Sequence, residues 1–170
     1  MRFRADQSEI ALVGKNGVTN LRWLHQVSIP ARMNTPERVD AGLVFDGAAG
    51  GEDIDLKGKI VIVDIWGTWC PPCRREMPDM EKLYQRFSQK GLVVLAVSDE
   101  KRETVEDFLK KQDYTFPVLL DPDRKVNTAF GIEGIPNSFL FDRQGKLAAQ
   151  SIDMRTERQF LEMFKTAGLE

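Results

Sequence analysis

The two cysteines of this chain, Cys70 and Cys73, lie three positions apart, at the boundary between two contrasting hydrophobic patterns. Before the pair, residues 60–66 form an almost continuous apolar run that is interrupted by Asp64, which is typical of a strand buried on both faces. After the pair, apolar side chains recur at helical spacing, at Met80, Leu83, Tyr84 and Phe87. We therefore expect a buried strand to lead directly into a helix over residues 70–89, with both cysteines at its start.

The start of a helix is a favourable place for a thiolate. The first backbone N–H groups of a helix have no acceptor within it, so they stabilise an anion placed beside them. For this reason we expect Cys70 to be substantially ionised near neutral pH. Pro71 and Pro72 suit the first helical turn, because the N–H groups that they lack would have been unpaired anyway. The spacing puts Cys73 one turn further on, within reach of a disulfide.

This arrangement predicts dithiol–disulfide exchange. Cys70 would attack a disulfide and Cys73 would resolve the mixed disulfide, which requires a Cys70 sulfur that solvent and substrate can reach. The alternatives are a coincidental pair or half of a metal site. A metal site needs further ligands, and His25 is the only histidine in the chain, so we expect no metal.

The rest of the chain alternates strand and helix patterns before a final hairpin and helix. The predicted elements are strands at 92–97 and 116–120, a helix with its apolar stripe at Val105, Phe108 and Leu109, a helix at 123–130, a hairpin over 137–152 and a last helix at 156–167. Strands that alternate with helices form a parallel sheet covered on both faces, and the hairpin adds antiparallel strands. The predicted fold class is an α/β three-layer sandwich, with a mixed central sheet flanked by helices.

The chain is long enough for one ordinary globular core and too short for two. It has 170 residues, of which 42% are hydrophobic. Residues 1–40 are weakly patterned and are interpreted as an N-terminal extension, with a short hairpin across residues 14–17. Residues 41–170 carry the stronger patterns and form the predicted domain.

Charge balance and the lengths of apolar runs exclude several classes of protein. Lys and Arg total 24 against 26 Asp and Glu, so the chain lacks the positive surface that binds nucleic acid or an anionic membrane. The longest uninterrupted apolar run, residues 92–97, is too short to span a bilayer, and the first 30 residues lack the apolar segment of a secretory signal. Either the protein is cytoplasmic or its export signal was removed before Met1.

Several motifs, in their order along the chain, resemble the thioredoxin superfamily, and within it the bacterial envelope thiol-disulfide oxidoreductases of the TlpA and ResA type. They are Gly58-Lys59, the segment from Asp64 to Cys73, Glu76-Met77-Pro78, Phe116-Pro117, Asp121-Pro122 and Gly134-Ile135-Pro136. The resemblance implies a thioredoxin-like fold over residues 41–168. It also implies an enzyme that reduces protein disulfides, takes electrons from an upstream dithiol donor and needs no cofactor besides its own disulfide.

The same resemblance bears on location and assembly. This branch includes the cytochrome c maturation thioredoxins, and its members usually carry an export signal or an anchor. The resemblance therefore implies a location on the extracytoplasmic side of a bacterial membrane, with that signal or anchor removed. We also expect the protein to be a monomer.

The resemblance assigns substrate-binding roles around the cysteine pair. Pro136 would follow a cis peptide bond and face the pair, so that the peptide group of Ile135 can bind a substrate strand. Trp69, Pro71 and Pro72 would offer the surface on which the substrate lies. The alternatives are an ordinary loop proline at position 136 and a plain hydrophobic cover at position 69.

Two acidic residues are candidates for proton transfer. Asp64 matches the buried acid of thioredoxins, and desolvation in an apolar strand should raise its pKa and suit it to exchange a proton with Cys73. A strand-end carboxylate that reaches solvent is the alternative. Glu76 matches a glutamate that tunes the thiols of some envelope reductases, and its alternative is a solvated position on the helix surface.

Two other functions compete with disulfide exchange. Peroxiredoxins share the fold, but their motif puts Thr or Ser three residues before the reactive cysteine and Pro four residues before that, where this chain has Gly67 and Val63. A non-enzymatic metal or haem binder would add Met, His or Cys near the pair. Met77 and Met80 are the candidates, and their helical spacing indicates a core position instead.

Overall fold

The five-stranded sheet at the centre of the molecule carries the cysteine pair at the end of its middle strand. The structure is a computed structural model that describes residues 9–14, 17–26, 44–46, 56, 58–121 and 123–170. The strands are β4 (Ile60–Ile65), β5 (Leu92–Ser98), β6 (Val118–Leu120), β7 (Asn137–Phe141) and β8 (Leu147–Ser151). Their spatial order is β6-β5-β4-β7-β8, with β4, β5 and β6 parallel and β7 and β8 antiparallel to their neighbours.

A second, three-stranded sheet forms from the earlier part of the chain. It contains β1 (Glu9–Gly14), β2 (Gly17–Gln26) and β3 (Val44–Asp46) in the order β1-β2-β3. The strands β1 and β2 pair antiparallel, so the predicted hairpin is present, although residues 15 and 16 of its turn lie outside the described residues. The predicted boundary at residue 40 also lies outside them. Cα atoms of β1 lie within 8 Å of those of β6, the edge strand of the five-stranded sheet.

In the part of the chain that the structure describes, four helices cover the five-stranded sheet on both faces. They are α1 (Pro71–Phe87), α2 (Arg102–Leu109), α3 (Lys125–Ala129) and α4 (Glu157–Lys165), and a single 3₁₀ turn, Ser88–Lys90, follows α1. The three-layer α/β sandwich with a mixed sheet is therefore confirmed. No helix in the described ranges is long and apolar enough to cross a membrane.

The alternating side chains of β4 build two separate cores, since successive residues of a strand point to opposite faces of the sheet. Ile60 and Ile62 pack with both cysteines and with apolar residues of α1 and α4. Val61, Val63 and Ile65 pack on the other face, in a cluster that includes Val126 and Phe130 from the region of α3. The whole of β4 is buried as a result, which explains its near-continuous apolar sequence.

The starts of two predicted elements were wrong by two residues each. The helix expected from residue 123 begins at Lys125, because Arg124 has a φ of 55°, a left-handed conformation outside the helical range. The strand expected from residue 116 begins at Val118, because Pro117 has no N–H to donate to a neighbouring strand. The carbonyl of Pro117 still accepts from the N–H of Ala96 at 3.1 Å.

Candidate active site

The cysteine pair forms a disulfide at the start of α1. The two sulfurs are 2.11 Å apart and the two Cα atoms 5.3 Å apart. Cys70 is the N-cap residue, with an extended backbone, and its carbonyl accepts from the N–H of Arg74 at 3.1 Å. The N–H of Cys73 points at the sulfur of Cys70, 3.2 Å away. The predicted position of the pair, where β4 leads into a helix, is confirmed.

The two prolines leave few N–H donors for the Cys70 sulfur. Pro71 and Pro72 occupy the first two helical positions, and neither has an N–H. The N–H of Cys70 itself donates to the carbonyl of Gly67 at 3.1 Å. Of the donors that normally serve an N-cap side chain, the N–H of Cys73 is the one that remains. A thiolate at Cys70 would therefore be stabilised through a single backbone hydrogen bond from this turn.

Cys70 is less exposed than we expected for a cysteine that attacks substrate disulfides. Cys70 is 2% exposed and Cys73 is completely buried. The carbonyl oxygen of Ile135 lies 3.9 Å from the Cys70 sulfur. Because a sulfur in a disulfide carries no hydrogen, this is a van der Waals contact in the oxidised protein. What exposed surface the pair has belongs to residue Cys70, which agrees with Cys70 as the cysteine that a substrate meets.

Trp69 and Ile135 border the disulfide. The peptide bond between Ile135 and Pro136 is cis, with Pro136 buried and Ile135 half-buried. Trp69 is 66% exposed, which is unusual for so large an apolar side chain. A Cβ atom built on Gly67 would lie 2.9 Å from Nε1 of Trp69 and 3.3 Å from Cδ1 of Ile135. The indole therefore lies directly against the backbone of Gly67, next to Ile135.

Asp64 is buried on the sheet face whose core includes the cysteine pair. It is 2% exposed and shares the sheet face of Ile62 and Trp66, which pack in the same core as Cys73. Desolvation raises the pKa of Asp64 to about 6, and a hydrogen bond from the hydroxyl of Ser138, at 2.7 Å, opposes this rise. The carboxyl group is thus desolvated, as expected, and does not reach solvent from the strand end.

Glu76 is also buried, which is contrary to a solvated position on the helix surface. It is 1% exposed and lies three residues after Cys73, on the same face of α1. Its Oε2 accepts from the backbone N–H of Arg155 at 2.9 Å, while its Oε1 has no hydrogen-bond partner among the described residues. Burial raises the pKa of Glu76 to about 9, and the negative charge of Asp64 adds to this rise. Glu76 is therefore protonated at neutral pH.

The comparison with protein families supports this fold and this site. The model of the AhpC/TSA family matches residues 51–150, which include β4, α1 and the segment that contains Pro136. The chain belongs to the AhpC/TSA family.

Two similar proteins have names that describe thiol-disulfide chemistry. The curated thiol-disulfide oxidoreductase ResA of Bacillus anthracis is 41% identical over 106 residues, or 62% of this chain and 61% of the relative. The solved structure of a thiol:disulfide interchange protein, a thioredoxin family protein of Chlorobium tepidum TLS, is 35% identical. It has a TM-score of 0.58 and covers 66% of this chain and 81% of that one.

A third relative has a name that describes its location. The exposed lipoprotein thioredoxin of Streptococcus pneumoniae strain TIGR4 is 26% identical, with a TM-score of 0.59 over 65% of this chain and 86% of that one. The fold of the AhpC/TSA chain is therefore thioredoxin-like. The chain spans about three fifths of the length of the first curated relatives that it matches.

Sequence reasoning missed Glu100, whose carboxylate binds the loop between β4 and α1. Its Oε2 accepts from the N–H of Thr68 at 2.5 Å, and its Oε1 accepts from the hydroxyl of Thr68 at 2.7 Å. A signal was present, because β4 and β5 are adjacent parallel strands and their carboxyl ends share one edge of the sheet. Residues just after each strand, such as Thr68 and Glu100, are therefore brought together.

Trp66 and the two methionines have packing positions, not positions at the disulfide surface. Trp66 is 1% exposed and its ring centroid lies 5.6 Å from that of Phe108. Met77 and Met80 are each 1% exposed and pack in the same core. Over the described residues, no group of three or more His, Cys, Asp or Glu side chains could hold a metal ion. The site contains the Cys70–Cys73 disulfide and two buried carboxyl groups, those of Asp64 and Glu76.

Proposed function

We propose that this chain is a thiol-disulfide oxidoreductase that reduces disulfides of other proteins through Cys70 and Cys73. The observation that carries the proposal is the disulfide at the start of α1, where the N–H of Cys73 points at the Cys70 sulfur. Helix starts of this kind stabilise the thiolate that attacks a disulfide. The names of the relatives support the same activity.

The exchange proceeds in two steps with the dithiol form of the protein. The Cys70 thiolate attacks one sulfur of the substrate disulfide, forms a new S–S bond and releases the other substrate sulfur as a thiolate, which takes up a proton. Cys73 then loses its proton and attacks the Cys70 sulfur. The second substrate sulfur leaves and is protonated, so the substrate gains two electrons and two protons while the protein acquires the Cys70–Cys73 disulfide.

Asp64 and Glu76 divide the handling of protons between them in this proposal. Burial raises the pKa of Asp64 to about 6, so at neutral pH its carboxylate can accept the proton that Cys73 must lose. The pKa of Glu76 is about 9, so Glu76 stays protonated and adds no second negative charge to the buried site. Because Glu76 carries no charge, it does not raise the pKa of Asp64 further, and Asp64 remains ionised at neutral pH as the proton acceptor.

The chain's disulfide is sufficient as the electron carrier, and its proposed partners are protein disulfides and an upstream dithiol donor. We place the protein on the extracytoplasmic side of a bacterial membrane, as a monomer. The name of the exposed pneumococcal lipoprotein supports that location, and so does the stability of disulfides in oxidising compartments.

A peroxidase is the second candidate function, since the same fold supports it, but the loop argues against it. Gly67 stands three residues before Cys70, and the indole of Trp69 fills the space where a side chain at Gly67 would lie. That position therefore lacks the hydroxyl group that the peroxidase motif requires.

The test is reduction of insulin disulfides by dithiothreitol, followed as precipitation of the freed chains. We expect the wild-type chain to accelerate precipitation and Cys70→Ser to behave as the uncatalysed reaction. Hydrogen peroxide consumption is measured on the same samples. If the chain consumes peroxide much faster than a free cysteine does and does not accelerate insulin reduction, the exchange activity is contradicted and the peroxidase activity is supported.

A further inference from the structure

The loop between β4 and α1 is fixed at both of its ends by backbone hydrogen bonds. The N–H of Trp66 donates to the carbonyl of Val97 at 3.0 Å, where the loop leaves the sheet. The N–H of Cys70 donates to the carbonyl of Gly67 at 3.1 Å, where the loop turns into the helix. Between these two points lies Thr68, the residue that Glu100 binds.

Glu100 holds Thr68 by both of its carboxylate oxygens. The N–H and the hydroxyl of Thr68 each donate to a different oxygen, at 2.5 and 2.7 Å, and both residues are half-buried. Hydrogen bonds to a charged acceptor are among the stronger ones, and partial burial limits competition from water. The carboxylate also accepts from the hydroxyl of Ser98 at 3.2 Å, which orients it from its own strand end.

We propose that Glu100 is a positioning residue for the redox site, because it holds the turn that places Cys70 at the helix start and Trp69 against Gly67. The inference rests on the proposed function of Cys70 as the attacking sulfur. Thr68 lies between Gly67 and Trp69, so a displaced Thr68 moves the packing of the indole on Gly67. It also alters the contact in which the N–H of Cys73 points at the Cys70 sulfur.

Three variants separate positioning from charge and from general destabilisation. Glu100→Ala removes both hydrogen bonds. Glu100→Gln removes the charge but can still accept from the N–H of Thr68 and donate to its hydroxyl. Glu81→Ala is the matched control, because Glu81 makes the same pair of hydrogen bonds elsewhere. It accepts from the N–H and the hydroxyl of Thr115 at 2.8 and 2.7 Å. Glu81 lies eleven residues after Cys70 in the chain.

Two measurements on the reduced proteins report the position of Cys70. The first is the rate of alkylation of Cys70 by iodoacetamide across a pH series, in the Cys73→Ser background, which needs no disulfide substrate. The second is the rate constant for reduction of insulin in the Cys73-containing protein. Far-ultraviolet circular dichroism verifies the fold of each variant, and Thr68→Val, which keeps the N–H bond, gives a milder disturbance in the same direction.

We expect Glu100→Ala to shift the alkylation profile to higher pH and to lower the insulin rate roughly 10- to 100-fold, since small displacements of reacting groups have large effects. The insulin reduction rates of Glu100→Gln and Glu81→Ala should remain within about twofold of the wild-type rate. If Glu100→Ala has the alkylation profile and the insulin rate of the wild type, the inference is overturned. A shift to lower pH in both Glu100 variants would also overturn it, because that result shows a charge effect.

The two proposals fail in different ways. A wild-type chain that does not reduce insulin contradicts the proposed function. If the alkylation profile of Cys70 still changes in Glu100→Ala and does not change in Glu81→Ala, the positioning role of Glu100 is supported even though the proposed function has failed. An active wild-type chain that is insensitive to Glu100→Ala contradicts the positioning role alone.

Discussion

At the residue scale, the prolines at the helix start bear on how strongly the protein reduces. The reduced form is favoured when its thiolate is stabilised, and each N–H donor to that thiolate makes the disulfide easier to reduce. Pro72, at the second helical position, removes one such donor and leaves the N–H of Cys73, 3.2 Å from the Cys70 sulfur. This arrangement favours the disulfide form, which is what a protein that donates electrons needs.

Replacing Pro72 should therefore make the protein more oxidising. Pro72 stands at the second helical position, from which a backbone N–H commonly reaches an N-cap side chain. In Pro72→Ala the restored donor should raise the reduction potential by about 30 mV, the equivalent of one charge-assisted hydrogen bond. The measurement is equilibration with glutathione. Pro71→Ala is the control and should change the potential less, and an equal or larger change in Pro71→Ala would refute the explanation.

At the element scale, the loop from β4 to α1 is a tightly packed surface, in which Gly67 has no room for a side chain. A Cβ there would lie 2.9 Å from Nε1 of Trp69, closer than ordinary contact. Gly67→Ala should therefore displace the indole and slow insulin reduction by about tenfold. Gly134→Ala is the control, because nothing lies within 4 Å of a Cβ built there. Equal rates for the two variants would show that the position of Trp69 does not matter.

The same elements show what a sequence can predict and what it cannot. Hydrophobic periodicity predicted β4 and α1 well. A strand buried on both faces, such as β4, and a helix with one buried stripe, such as α1, each leave a strong pattern of apolar residues in the sequence. The start of α3 was predicted too early, since the left-handed conformation of Arg124 has no sequence signature of the kind that glycine provides. The contact of Glu100 with Thr68 spans 32 positions and depends on which strands are neighbours, so it was missed.

Burial of Cys70 is the sharpest difference between expectation and structure. The position of a helix N-terminus follows from the sequence, but the contact of the Cys70 sulfur with the carbonyl oxygen of Ile135 joins residues 65 positions apart. In the dithiol form the S–S bond is absent, so the Cys70 sulfur is free to move away from Cys73. The 2% exposure of Cys70 is that of the disulfide form.

At the scale of the whole molecule, two buried carboxyl groups link stability to pH. The pKa of Glu76 is raised from 4.5 to about 9 in the folded protein, and that of Asp64 from 3.8 to about 6. Between the unfolded and folded values of each group, the native state binds more protons than the unfolded chain. The free energy of unfolding therefore falls as pH rises through these ranges, because protons are lost on unfolding.

Glu76→Gln should remove most of the pH dependence above pH 6. For the wild-type disulfide form we expect the free energy of unfolding to fall between about pH 6 and 9, by at most about 1.4 kcal/mol per pH unit. In the variant the amide oxygen still accepts from Arg155, but nothing titrates at that site, so the slope should be close to zero. Urea unfolding across pH measures this, with Glu81→Gln as control. A stability that increases from pH 6 to 9 would contradict the burial argument.

The central claim is that Cys70 attacks and Cys73 resolves, and trapping of the mixed disulfide tests it most directly. Cys73→Ser and Cys70→Ser are each reduced, mixed with a protein disulfide and analysed by mass spectrometry under non-reducing conditions. The structure leaves Cys70 slightly exposed and Cys73 fully buried. We expect a stable adduct through Cys70 in Cys73→Ser and none through Cys73 in Cys70→Ser. Adducts of equal yield in the two variants would contradict the claim.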